Sequence, residues 1–236
     1  MTDAAVGDVP MGHVAVGDVP VGEPPATGRG LLVDYGGVLT ADVGTAWRGF
    51  ELAHGMRAGT VERLLRAAYR SDAGGSTVAR YERGEIDRPT FEAELAGMLA
   101  DLGHEVDPEG LVHRLFAGLA PHGGVWDLVA QARDAGHGTA LLSNSWGFDG
   151  YPRARLEAAF DVLVISGEVG LRKPDRGIFQ LAAQRLGVAL EDCVFVDDLP
   201  ENVDAAARYG ITAVLHHDAD TTSEQVRTAL GMQSAR

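Results

Sequence analysis

The sequence predicts a doubly wound α/β protein, a parallel sheet covered by helices on both faces, with a small helical bundle inserted after the first strand. Three observations point there. Short Val/Ile/Leu runs alternate with helical patterns through the second half of the chain, as in βαβ architectures. Each run ends in polar residues, and the stretch from Thr45 to Leu119 carries helical patterns without an apolar strand run.

The apolar runs come in order. Leu31-Leu32-Val33 leads into Asp34, Thr139-Ala140-Leu141-Leu142 into Ser143-Asn144, and Val162-Leu163-Val164-Ile165 into Ser166-Gly167. Cys193-Val194-Phe195-Val196 leads into Asp197-Asp198, and Ile211-Thr212-Ala213-Val214-Leu215 into His216-His217-Asp218. Near-continuous apolar runs of this length are what strands buried on both faces look like. Helices are expected over Val125–Ala135, Arg153–Phe160, Asp175–Leu186 and Glu201–Tyr209. The inserted stretch predicts helices at Ala58–Arg70, Thr77–Arg83, Pro89–Leu102 and Pro108–Leu119. Asp87 before Arg88-Pro89 suits a helix start, and Glu92 and Glu94 are expected to favour the positive end of that helix.

The implied organisation is a tail over 1–28, a core built from 29–44 and 120–236, and a cap over 45–119. The tail repeats Ala-Val-Gly-Asp-Val-Pro at residues 5–10 and 15–20. Gly and Pro at this density read as a flexible extension. An apolar fraction of 45% suffices for a core. No apolar run reaches the ~18 residues that span a bilayer, and a net charge of −14 disfavours nucleic acid or an anionic membrane as partner. The lone Cys193 excludes an internal disulfide and is expected in the core. No Lys or Arg precedes Arg29, against a secretory or transit peptide; the sparing use of cysteine fits a reducing cytoplasm, the expected location. Monomer and homodimer are equally open.

In open α/β sheets ligands bind beyond the carboxyl ends of the strands, so the polar strand ends are expected to converge. Asp34, Asp197 and Asp198 would then crowd three carboxylates, raising at least one pKa. A hard divalent cation with oxygen ligands, most simply Mg²⁺, relieves that repulsion and can hold a phosphate oxygen. Of the twenty Lys and Arg residues only Lys173 is lysine, an ammonium in a chain that otherwise uses guanidinium. With the Ser143 hydroxyl it can place an anionic phosphoryl group against a carboxylate nucleophile.

These segments resemble the four motifs of the haloacid dehalogenase (HAD) superfamily, in order, from about Arg29 to Leu215. Motif I is similar to Leu32-Val33-Asp34-Tyr35-Gly36-Gly37-Val38-Leu39-Thr40, and motif II to Leu142-Ser143-Asn144-Ser145-Trp146. Motif III is similar to Gly170-Leu171-Arg172-Lys173-Pro174-Asp175, and motif IV to Val194-Phe195-Val196-Asp197-Asp198-Leu199-Pro200-Glu201-Asn202-Val203. The helical insertion resembles a C1-type cap on a Rossmann-like core. Tyr81-Glu82-Arg83-Gly84-Glu85-Ile86 resembles a segment of the phosphatase branch that includes the amino-terminal domains of soluble epoxide hydrolases and bacterial glucose-1-phosphate phosphatases.

The resemblance implies a hydrolase of small phosphate monoesters that passes through an aspartyl-phosphate. Asp34 would be nucleophile and Mg²⁺ ligand, with the Gly36 carbonyl and Asp198 as further ligands and Asp197 as ligand or its neighbour. Ser143 and Asn144 would bind the phosphoryl oxygens, and Lys173 would stabilise charge on nucleophile and phosphate. The expected partner is a small phosphorylated metabolite. One departure stands out: where most of these phosphatases carry an acid/base aspartate, two residues past the nucleophile, this chain has Gly36. Losing such a group typically costs on the order of 10²–10⁴ in rate, and Asp42, His54 and Tyr35 are candidate substitutes. Two alternatives are a 2-haloacid dehalogenase, and a phospho-ligand-binding regulatory protein with weakened turnover. Metal-free dehalogenases of this group usually place Tyr two residues past the nucleophile, whereas Tyr35 is one residue past it.

Overall fold

The computed structural model describes residues 24–70, 75–121, 123–147 and 151–232. Five strands form one parallel sheet: β1 (Gly30–Val33), β2 (Gly138–Ser143), β3 (Val162–Ile165), β4 (Cys193–Asp197) and β5 (Thr212–Leu215). Their order is β3-β2-β1-β4-β5. The sheet grows outward from β1 in both directions, and Val33 is level with Leu141 on one side and Val196 on the other. The order reverses at β1, which is where a crevice opens in this architecture.

Alternate strand residues feed opposite layers. Leu31, Val33, Leu141, Val194, Val196 and Val214 pack on one face against α6 (Gly123–Asp134), α7 (Arg153–Ala159) and α11 (Ala219–Leu230). Leu32, Ala140, Leu142, Val164 and Phe195 pack on the other against α9 (Arg176–Leu186) and α10 (Pro200–Arg208). Each fully buried Leu, Val or Phe contributes about 1.5–3 kcal/mol, so the sheet centre is held from both sides. Cys193 is one of these core residues, and burial, with Asp192 and Glu191 nearby, pushes its thiol up to about 12.

Between β1 and α6 come α1 (Val43–Ala53), α2 (Thr60–Arg70), α3 (Thr77–Glu82), α4 (Arg88–Ala100) and α5 (Leu111–Leu115). They share an apolar cluster of their own, with Phe50, Leu65, Phe91, Leu95 and Leu115 at its heart. Each helix packs on the next and α5 returns to α1. The two connections to the sheet run side by side, Ala41 N donating to Ala120 O at 2.8 Å.

Several expectations are corrected. α1 was not among the predicted helices; Gly44 and Gly49 dilute its pattern, while Asp42 caps it by accepting from Gly44 N. α8 (Ser166–Val169) and α11 were not predicted either. The helix expected over Pro108–Leu119 contracts to Leu111–Leu115, bracketed by Gly110 (φ 69°) and Gly118 (φ 87°). Asp87 caps α4 as expected, accepting from Thr90 N at 2.9 Å. Glu92, however, is buried and turns to the next helix, where its oxygens accept from Gly110 N and Val112 N at 3.2 and 3.0 Å. Glu94 accepts from the Thr77 hydroxyl. Glu51 repeats the Glu92 device at α2, accepting from Gly59 N and Val61 N. The orphan amides at both helix starts therefore find carboxylate acceptors.

The tail expected over 1–28 lies outside the described residues up to 23. Near its end, Thr27 Oγ1 lies 2.8 Å from His137 Nδ1. His216-His217-Asp218 forms a turn in which His216 bonds Thr222 and Asp218 caps α11. Among the described residues no helix is long and apolar enough to cross a membrane.

Candidate active site

Asp34 stands one residue beyond β1, its main-chain N–H donating to Val196 O at 3.0 Å. That bond sets it beside Asp197, the last residue of β4, and Asp198 follows. Oxygens of Asp34, Asp197 and Asp198 lie within 4.8 Å of one another, as the strand ends predict. Lys173 reaches the same point, with Nζ 2.7 Å from both Asp34 Oδ1 and Asp197 Oδ2. The chain's single lysine is 1% exposed and bridges two carboxylates.

The carboxylates are not equivalent. Asp197 is fully buried, and its oxygens accept from Lys173 Nζ, Asn202 Nδ2 and Leu199 N. Asp198 lies in a more open position, flanked by charge of its own sign. Burial, then the repulsion of Asp34 and Asp197, pushes its carboxyl up to about 8. For Asp34, burial dominates and Lys173 pulls the other way; with Asp197 opposing Lys173, its carboxyl is pushed up to about 6. Burial works against the Lys173 charge, yet Asp197 and Asp34 hold its pKa above the ordinary lysine value. Three carboxylates facing one ammonium leave an excess of negative charge in a low-dielectric site, a donor set that suits a hard divalent cation.

Gly37 is required by this geometry. Its φ is +76°, and a Cβ there would stand 2.2 Å from Asp198 Oδ2. At Gly36 a Cβ would come 3.3 Å from Val43 Cγ2, so the first residue of α1 crowds the place where an acid/base side chain would start. The nearby substitutes are committed elsewhere. Asp42 caps α1 and pairs with Arg48, and although burial raises its pKa somewhat, the bonds from Thr45, Gly44 and Arg48 hold it below the usual range. His54 bonds Phe50 O and stacks on the Phe50 ring. Tyr35 packs in the core against Tyr151, centroids 4.9 Å apart.

Ser143 ends β2, buried, and shares a 2.8 Å hydrogen bond with the Tyr151 hydroxyl. Asn144 turns its side chain to the Lys173 backbone: Oδ1 accepts from Lys173 N at 2.8 Å, and Nδ2 donates to Lys173 O at 3.0 Å. Trp146 packs under the bundle between Trp47, Phe91 and Phe116.

Four site neighbours carried no role in the sequence reading: Tyr151, Asn202, Arg172 and Glu82. Asn202 had a findable signal, five residues past Asp197 and in the first turns of α10. Arg172 adjoins Lys173 in sequence, whereas Tyr151 and Glu82 owe their position to tertiary packing.

A family model described as haloacid dehalogenase-like hydrolase matches residues 29–210. Mouse acyl-CoA dehydrogenase family member 10 is 29% identical over 210 residues, 86% of this chain and 19% of that protein. The phosphoserine phosphatase of Thermus thermophilus is 39% identical over 92 residues, 36% of each. The chain thus spans well under half the length of these two curated relatives. A HAD family enzyme of Bacteroides thetaiotaomicron, solved with magnesium and inorganic phosphate, shares the fold at TM-score 0.56 and 21% identity, covering 80% of this chain and 94% of that one. With the family match covering most of its length and the motif residues gathered at the ends of β1, β2 and β4, the chain belongs to the haloacid dehalogenase-like hydrolases.

Proposed function

We propose that this hydrolase cleaves small phosphate monoesters, with Asp34 attacking phosphorus to give an aspartyl-phosphate that water then hydrolyses. The observation that carries the reading is the Lys173 ammonium, 2.7 Å from both Asp34 and Asp197, with Asp198 beside them. An ammonium at that place keeps Asp34 ionised for attack and offers its charge to the incoming phosphoryl oxygens. Asp34 and Asp198, with the Gly36 carbonyl, would hold Mg²⁺, which supplies positive charge against the phosphoryl group. Asp197, its oxygens already engaged, would act through Lys173. The Ser143 hydroxyl would bind a phosphoryl oxygen, and Asn144 would orient Lys173. The α1–α5 bundle would act as the lid over the crevice.

The retained acidic triad favours this reading over carbon–halogen hydrolysis, which in the resembling dehalogenases proceeds without metal. Gly36 favours substrates whose leaving group departs without a strong proton donor. The test is phosphate release from a panel of phosphorylated metabolites with Mg²⁺, run beside thermal shift and chloride release from 2-haloacids. Release that disappears with Asp34→Asn and with chelation is expected. Full activity in Asp34→Asn, metal-free chloride release, or ligand-dependent stabilisation without turnover would overturn it.

A further inference from the structure

We propose that Glu82, a carboxylate on α3, is a positioning residue that fixes the Arg172–Lys173 segment so that the Lys173 ammonium bridges Asp34 and Asp197. The proposal rests on the reading of Asp34 as nucleophile. Glu82 is 1% exposed, although it belongs to a bundle whose shared cluster is apolar. Its Oε2 accepts from Arg172 Nε at 2.6 Å and lies 3.3 Å from Asn144 Nδ2. Its Oε1 accepts from the Tyr69 hydroxyl. Its main-chain carbonyl accepts from the Ser166 hydroxyl, whose oxygen in turn accepts from Ser145 N at 2.7 Å. One residue of the bundle therefore grips the residue before Lys173 and both residues after Ser143.

The consequence runs through Asn144. Its amide is oriented by Glu82 at one end, and both polar atoms bond the Lys173 backbone. Only one orientation of the amide presents Nδ2 to Glu82 and Lys173 O while Oδ1 faces Lys173 N. The Lys173 stem starts from that clamped peptide, and its tip meets Asp34 and Asp197. Contact between bundle and core is tight here: a Cβ on Gly84, just past α3, would lie 2.7 Å from Gly167 O. A buried ion pair stabilises a fold no better than apolar residues of the same volume. What Glu82–Arg172 supplies is direction, and it ties the seating of α3 on the core to the seating of the ammonium.

Because Lys173 is the chain's single lysine, ¹⁵N-lysine labelling yields one backbone amide signal, from the N–H that Asn144 Oδ1 accepts. Hydrogen exchange at that amide and steady-state hydrolysis of p-nitrophenyl phosphate with Mg²⁺ are compared in wild type, Glu82→Gln and Glu92→Gln. The last is a matched control, a buried glutamate of the same bundle that caps α5. Glu82→Gln is expected to speed Lys173 exchange about tenfold or more and to lower kcat about tenfold while KM moves less than about twofold. Glu92→Gln is expected to lower thermal stability and leave both readouts near wild type. Wild-type exchange and kcat in Glu82→Gln, or the same changes in Glu92→Gln, would overturn the proposal. Should Glu82→Gln not fold, Glu82→Asp, whose shorter arm draws the shared acceptor oxygen back from both Arg172 and Asn144, is read by the same criteria. A wild type that releases no phosphate would fail the functional reading alone, and the exchange comparison would still decide the role of Glu82.

Discussion

Asp198→Asn is expected to stabilise the metal-free protein while abolishing its response to Mg²⁺. In the folded chain the Asp198 carboxyl is pushed up to about 8 from an ordinary 3.8, by burial and by its neighbours Asp34 and Asp197. A folded-state pKa raised above the unfolded one gives stability that is fully present below the unfolded value and lost as pH rises through the folded value. For Asp198 that window runs from about pH 4 to about pH 8; Asp34, pushed up to about 6, adds its own loss between about pH 4 and 6. At about 1.4 kcal/mol per tenfold, the Asp198 difference amounts to at most about 5–6 kcal/mol at pH 9. Asparagine removes the charge but stays a half-buried polar group, so a net gain on the order of 2–4 kcal/mol at pH 9 is expected, shrinking toward zero at pH 4. Urea denaturation of chelated wild type and variant at pH 5, 7 and 9 measures this, followed by titration with Mg²⁺. A variant less stable than wild type at pH 9, or one that Mg²⁺ still stabilises as it does wild type, would refute the electrostatic reasoning.

Lys173→Met leaves Asp197 and Asp34 buried without their ammonium, and a loss of about 3–5 kcal/mol is expected by urea denaturation at pH 8. The deficit should shrink toward pH 5, because Asp34, already pushed up to about 6 with the lysine present, then carries a proton. Gly37→Ala combines a φ of +76° with a Cβ 2.2 Å from Asp198 Oδ2. A stability loss of about 1–3 kcal/mol and weakened Mg²⁺ binding by calorimetry are expected. Gly36→Asp, paired with Val43→Ala to relieve the 3.3 Å approach, is expected to raise kcat on alkyl phosphates by about 10–100-fold. The gain on p-nitrophenyl phosphate should be much smaller, since its leaving group needs little protonation.

The sheet was legible because each strand is a short apolar run ending in a polar residue. β3 falls on Val162–Ile165 as read, Asp34, Asp197 and Asp198 meet where the strand ends predict, and Lys173 joins them from the connection between α8 and α9. α1 and α11 were hidden by composition. Gly44 and Gly49 interrupt the first, and the second buries Thr222 and Ser223 beside Val226 and Leu230, so polar letters occupy its inner face. Glu92 illustrates a different limit: position in a helix suggests a dipole contact, but the carboxylate turns to the orphan amides of another helix eighteen and twenty residues away. Glu82 and Tyr151 became site neighbours through packing between segments distant in sequence, Glu82 reaching Arg172 across ninety residues. No local pattern encodes such a meeting. The hydrogen bonds of Asp197 to Lys173 and Asn202, and of Asn144 to the Lys173 backbone, likewise follow from packing rather than from spacing.

Asp34 is proposed as the nucleophile, a carboxylate oxygen attacking phosphorus as the ester oxygen leaves. Wild-type protein mixed with Mg²⁺ and p-nitrophenyl phosphate, acid-quenched within milliseconds and digested, can be read by mass spectrometry for a phosphoryl group on the peptide that carries Asp34. A phosphorylated Asp34 that forms in the first turnover and decays as phosphate appears is expected. Phosphate release with that peptide unmodified at every quench time, or a phosphoryl group on another residue, would contradict it.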